Sequence, residues 1–139
     1  MKIFKSSSII SFDFDDTLTQ PIWDEEDGLW VNYGDPRPEI IEKVRELASE
    51  GHQIVIVTSR PMTHIKWVKD FITKYNLPIS KVHFTNGELK GPRLQELGVT
   101  RHYDDCPEEL KSAEEYGIET NRVWHPYDLE QENSIASTD

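Results

Sequence analysis

Residues Gln53 to Thr58, QIVIVT, form an apolar run too short for a helix and dominated by β-branched side chains. A strand with no polar alternation is covered on both faces. Segments of helical period flank it. Pro38 to Glu50 sets Ile40, Ile41, Val44, Leu47 and Ala48 on one stripe, with Gly51 placed to end the helix, and Thr63 to Tyr75 does the same with Ile65, Val68, Phe71, Ile72 and Tyr75. Shorter strand-length runs are predicted at Ile9 to Phe14, Lys81 to Phe84, Arg101 to Asp104 and Arg122 to Trp124, with a short helix at Pro92 to Leu97 and a longer one at Pro107 to Tyr116. Strands alternating with helices predict an α/β chain: a three-layer, Rossmann-like domain on a five-stranded, mostly parallel sheet.

The 139 residues suit one such domain, predicted over residues 1–126, with a flap at 20–37 too small to fold alone. The remainder, 127–139, carries Asp128, Glu130, Glu132 and Asp139 with no Lys or Arg and reads as an acidic, solvated tail. A net charge of −11 argues against a nucleic-acid coat protein held by a broad basic face, but leaves a nucleic-acid end open as a substrate. Cys106 is the only cysteine, which rules out an internal disulfide and a cysteine-based zinc site. No apolar run approaches the ~20 residues of a membrane span, and the apolar part of the N-terminus is too short for a secretory signal. A soluble, cytoplasmic protein is the expectation.

The segment SFDFDDTLTQ, Ser11 to Gln20, crowds Asp13, Asp15 and Asp16 at the end of the first strand. Like charges that close raise one another's cost of ionisation unless a cation or a reaction uses them. In an extended segment Asp13 and Asp15 point the same way while Phe14 points into a core layer. Asp104 and Asp105 follow another predicted strand, and Thr58 ends a third. Ligands of open α/β sheets bind at this rim of strand C-terminal ends. Carboxylates gathered there make an all-oxygen site suited to Mg²⁺, with a hydroxyl from Thr58 and a positive charge from Lys90 available to a phosphate.

Two other acidic sites are excluded. An EF-hand loop starting at Asp13 has Leu18 where its glycine must stand and a strand where its first helix must be. A response-regulator receiver needs an acceptor Asp on the central strand, where this chain offers Thr58.

Four stretches in order, DFDDT (Asp13 to Thr17), VTSR (Val57 to Arg60), Lys90 and YDD (Tyr103 to Asp105), resemble the four motifs of the haloacid dehalogenase (HAD) superfamily of phosphotransferases. That resemblance implies the HAD-type fold with a minimal cap. It implies that Asp13 is the nucleophile that becomes an aspartyl-phosphate, that Asp15 is the general acid and base, and that Thr17 steadies their loop. Thr58, Ser59, Arg60 and Lys90 would hold the phosphate, Lys81 being the competitor for the lysine role, and Mg²⁺ would be held by Asp13, Asp15 through its backbone carbonyl, Asp104 and Asp105. Asp at the second acidic position favours a phosphatase. Asp16 departs from the pattern, since many relatives have Gly there.

Among subfamilies, GHQIVIVTSR and RHYDDCPEELKSAEEYGIETNRVW look most like the 3′-phosphatase domain of phage-type polynucleotide kinase/phosphatases, which implies a nucleic-acid 3′-phosphate end as substrate. A 5′(3′)-nucleotidase or sugar-phosphate phosphatase of the same superfamily, and a non-catalytic phosphate- or metal-binding regulator, are the alternatives. Trp23, Trp30 and Tyr33 in the flap are candidate stacking platforms for a base, weighed against packing on the body. The five histidines show no metal-ligand spacing and read as structural or exposed.

Overall fold

The structure is a computed structural model that describes residues 7–129. Its main sheet has five strands in the order β5-β4-β1-β6-β7, all parallel: β1 Ile9–Phe12, β4 Gln53–Thr58, β5 Lys81–Phe84, β6 Val99–Asp104 and β7 Glu119–Arg122. Four helices, α1 Pro38–Ser49, α2 Ile65–Lys74, α3 Gly91–Leu97 and α4 Pro107–Glu115, carry the crossovers. A separate antiparallel hairpin, β2 Ile22–Asp24 and β3 Leu29–Val31, is the flap.

The unbroken apolar run of β4 supplies both faces of the sheet. Ile54 and Ile56 join the core beneath α1 and α2 with Val44, Leu47, Val68 and Phe71. Val55 and Val57 point the other way, to Leu94 of α3 and Ala113 of α4. This gives the three layers that the alternating pattern implied. Helix α1 buries Ile41, Val44 and Leu47, one stripe of its surface.

Most element ends shift by one or two residues from the sequence reading, and two strands differ in ways that matter. The first strand ends at Phe12, not Phe14, because the chain turns sharply over residues 14–18 and Asp16 takes a left-handed backbone, φ 62. Most residues resist that conformation and Asp is among the few non-glycines that adopt it. The turn therefore accounts for the Asp16 departure. The last strand lies at Glu119–Arg122 rather than at Arg122 to Trp124. Its residues are mostly exposed, because an edge strand paired on one side alone needs no apolar run.

The flap is stapled at its base by Gln20 N–H donating to Asp35 O and Arg37 N–H donating to Leu18 O. Asp16 anchors it from the turn, accepting from Asn32 Nδ2 at 2.7 Å. Arg37, buried at the flap's end, donates through Nη2 to Asp16 O and through Nη1 to Trp124 O. Among the described residues no helix is long and apolar enough to cross a membrane. The tail residues 130–139 lie outside those described.

Candidate active site

Strand order places the site. The sheet winds outward from β1 in one direction through β4 and β5 and in the other through β6 and β7, so a crevice opens between the C-terminal ends of β1 and β6. Asp13 follows β1 directly and is tied to β6 by its N–H donating to Tyr103 O at 2.9 Å. Asp104 is the last residue of β6. Ligand oxygens of Asp13, Asp104 and Asp105 lie within 4.8 Å of one another.

The Lys90 ammonium sits between them, 2.8 Å from Asp13 Oδ1 and 2.7 Å from Asp104 Oδ2, with all three side chains buried. Burial alone would lower the Lys90 pKa, but the two carboxylates outweigh it and hold the ammonium above its ordinary value. Burial also dominates at Asp13 and raises its pKa well above the usual carboxylate range, Asp104 adding to the rise and Lys90 opposing it. At Asp104 burial is overcome by the hydrogen bond from His102 and the charge of Lys90, so this carboxyl stays low. Asp105 is raised, burial first.

Lys90 is aimed by α3 and α4. Its backbone N–H donates to Glu109 Oε1 at 2.9 Å, and the next residue, Gly91, donates to Ser112 Oγ at 3.0 Å. A Cβ at position 91 would stand 2.5 Å from the Ser112 carbonyl oxygen, so only glycine lets the lysine loop approach α4 this closely. Lys81, the competing lysine, is the first residue of β5, at the opposite end of the strands.

Thr17 stands 3.3 Å from Asp13 Oδ2 and 3.1 Å from Asp105 Oδ1, so its single hydroxyl proton is shared between the two acids. Asp15 leaves this cluster. Its carboxylate is half-exposed and held by Arg60, whose Nε and Nη2 donate to Oδ2 and Oδ1 at 2.8 Å each. The expectation that Asp13 and Asp15 project together fails at the side chains because the strand stops at Phe12. Thr58 is buried at the end of β4, next to β1, where its hydroxyl accepts the Arg60 N–H at 3.3 Å; Ser59 is exposed beyond it.

Sequence reasoning passed over two residues under the cluster. His102 is fully buried, with Nε2 2.7 Å from Asp104 Oδ2 and Nδ1 2.6 Å from Ser11 Oγ. Burial lowers its pKa and keeps it neutral. Because the ionised Asp104 can only accept, Nε2 carries the proton and Nδ1 accepts from Ser11. The signal was the spacing of two along β6, which puts His102 and Asp104 on one face.

The family model of the PITM 1-3 LNS2 domain matches residues 10–133. The chain belongs to the LNS2-domain family. A Bacillus cereus protein carrying a provisional nucleotidase name is 28% identical to this LNS2 domain over 89 residues, 62% of the chain and 47% of that protein. Among solved structures, a chain of the Pnkp1/Rnl/Hen1 RNA repair complex superposes with a TM-score of 0.66 at 12% identity, over 86% of this chain and 43% of that one. A Vibrio cholerae protein with the provisional name 3-deoxy-D-manno-octulosonate 8-phosphate phosphatase gives 0.51 at 15% identity, over 90% and 71%. The LNS2 domain thus spans about half the length of the curated relative and of the repair-complex chain. Its fold is that of the HAD phosphatases, as the four motifs implied.

Proposed function

We propose that this LNS2 domain is a Mg²⁺-dependent phosphomonoester hydrolase that works through an aspartyl-phosphate on Asp13. The observation that carries the reading is the position of Lys90, a buried cation between the carboxylates of Asp13 and Asp104 at the mouth of the crevice. One ammonium against three carboxylates leaves the cluster short of positive charge; burial first, with Asp104 adding to it, makes Asp13 and Asp105 harder still to ionise without a further cation. An all-oxygen donor set of this kind fits Mg²⁺, with Asp13, Asp104 and Asp105 as the residues that would hold it, and Asp15 through its backbone carbonyl as the motif implies. When bound, the ion would supply charge stabilisation to a phosphoryl group.

The steps then follow from this chain's own groups. A carboxylate oxygen of Asp13 attacks phosphorus, the bond to the leaving oxygen breaks, and Asp15 gives that oxygen a proton. Water then attacks phosphorus, Asp15 takes its proton, and the acyl phosphate opens to phosphate and free Asp13. Lys90, Thr58, Ser59 and Arg60 hold the phosphoryl oxygens. Arg60 is bound to Asp15 in this structure, so a phosphate that offers the guanidinium another bidentate partner frees Asp15 for its proton.

The substrate is a nucleic-acid 3′-phosphate end. The small flap leaves the crevice accessible to a bulky leaving group, and the fold shared with the RNA repair complex supports the reading. A mononucleotide is the second reading, favoured by the name of the Bacillus cereus relative. The test is phosphate release from an oligonucleotide 3′-phosphate and from the matching mononucleotide. Higher kcat/KM on the oligonucleotide, loss with EDTA, recovery with Mg²⁺ and loss in Asp13→Asn are expected. Activity retained in Asp13→Asn overturns the mechanism; the reverse ranking overturns the substrate.

A further inference from the structure

A cleft of about 390 Å³ runs outward from the site between the flap and α2, and it shares Asp15 and Arg60 with the site. Its walls include five aromatic rings, those of Phe14, Tyr33, Trp67, Phe71 and Tyr75. Phe71 and Phe14 are buried core residues that form its floor, packed edge to face. Trp67 and Tyr33 are different. Trp67 is 61% exposed and Tyr33 66%, so both present large ring surfaces to the cleft that the fold does not cover. The other flap aromatics lie outside the cleft lining: Trp23, half-exposed, packs edge-on with Trp30, and Trp30 with His125.

Trp67 also lies off the stripe by which α2 faces the core, where Val68 and Phe71 are buried. Its ring packs on His64, centroids 4.7 Å apart, and not on the core, so most of the indole stays open to the cleft. Arg60 links the ring to the chemistry, its guanidinium 5.3 Å from the Trp67 ring centroid and 5.4 Å from that of Phe14 while it grips Asp15.

We propose that this cleft binds the aromatic base of the substrate's leaving nucleoside, with Trp67 and Tyr33 as its stacking surfaces and specificity determinants. The proposal rests on the phosphatase reading, because it takes Asp15 as the group facing the leaving oxygen. The leaving group then has to extend from Asp15 into the space that Asp15 lines. Flat aromatic walls suit a planar ring system, and Asp70 and Lys74 at the cleft's edge offer an acceptor and a donor to base edges, which an alkyl chain does not need. The volume lies at the lower end of small-molecule sites, room for one nucleoside with the rest of a chain leaving through the open side.

Two compounds test this: adenosine 3′-monophosphate, which has a base, and β-glycerophosphate, which has none. In Trp67→Ala, kcat/KM for the nucleotide should fall about tenfold to a hundredfold while that for β-glycerophosphate, which feels only the loss of the ring beside Arg60, falls far less, and Trp67→Phe should recover most of the loss. Trp23→Ala, a flap tryptophan outside the cleft, should behave as wild type. Equal losses on both compounds, or no loss on either, overturn the proposal. Adenosine alone should quench tryptophan fluorescence in the wild type and in Trp23→Ala but not in Trp67→Ala; quenching that survives in Trp67→Ala, or is missing from the wild type, overturns it too. If the wild type hydrolyses neither compound nor the oligonucleotide 3′-phosphate the phosphatase reading fails, and the adenosine titration still decides the cleft.

Discussion

Arg60 holds Asp15 by two parallel hydrogen bonds of 2.8 Å, across 45 residues of sequence, with its guanidinium lodged between the rings of Phe14 and Trp67. A planar fork makes both bonds at once; an ammonium makes one and does not stack in the same way. Arg60→Lys should therefore lower kcat/KM about tenfold, and Arg60→Ala about a hundredfold, on a 3′-phosphorylated oligonucleotide. Steady-state kinetics check this, and wild-type rates in Arg60→Lys would show that charge alone suffices.

Lys90 is the counterweight to two buried carboxylates. Lys90→Met leaves Asp13 and Asp104 facing each other without it, and breaking such a buried arrangement costs about 3–5 kcal/mol. Urea unfolding should report that loss without divalent ions, and millimolar Mg²⁺ should restore more stability to the variant than to the wild type. Equal Mg²⁺ effects on both proteins would count against ion binding by these carboxylates.

Gly91 is fixed by contact with α4. In Gly91→Ala the new Cβ meets the Ser112 backbone oxygen at 2.5 Å and a Tyr116 ring carbon at 2.7 Å, and neither is the free end of a flexible chain. Overpacking of this kind costs about 1–3 kcal/mol. Thermal melting should show the loss, and activity should fall further than stability because the loop that moves carries Lys90.

Glu109 gives a pH signature. Its pKa is raised, chiefly by burial, although the Lys90 N–H and charge oppose the rise. The folded state therefore holds this proton more tightly than the unfolded chain, and the stability it contributes is present below the ordinary glutamate pKa and lost as pH rises through the folded value. Glu109→Gln keeps an acceptor for the Lys90 N–H and removes the charge. Denaturant unfolding should find the variant more stable than the wild type at pH 7, with the gap closing near pH 4. A gap of the opposite sign at pH 7 would contradict the burial argument.

Much of this molecule was legible in its residues. QIVIVT gave β4 with its observed ends, because a strand covered on both faces and flanked by neighbours needs apolar side chains, and Lys81 to Phe84 did the same for β5, an edge strand that still carries the apolar Val82 and Phe84. The last strand escaped that logic, since Glu119–Arg122, at the other edge, stays mostly exposed and carries no apolar side chain. His102 and Ser11 escaped because a buried polar pair looks like any strand polarity until its partner is known. Trp67 and Glu109 were hidden in helical surfaces that read as ordinary.

The sequence by itself determined the alternation of strands and helices and the ends of β4, β5 and β6 at the rim, because hydrophobic period and turn chemistry act over a few neighbours. It therefore placed acids, a hydroxyl and a lysine at chain positions consistent with one rim. Only the tertiary structure decided that β1 and β6 lie side by side, that Lys90 closes on an aspartate 77 positions away, and that Asp15 turns from the acid cluster toward Arg60. Those outcomes depend on long-range strand pairing and on the burial of charge among specific partners, and neither is encoded in any short stretch of chain.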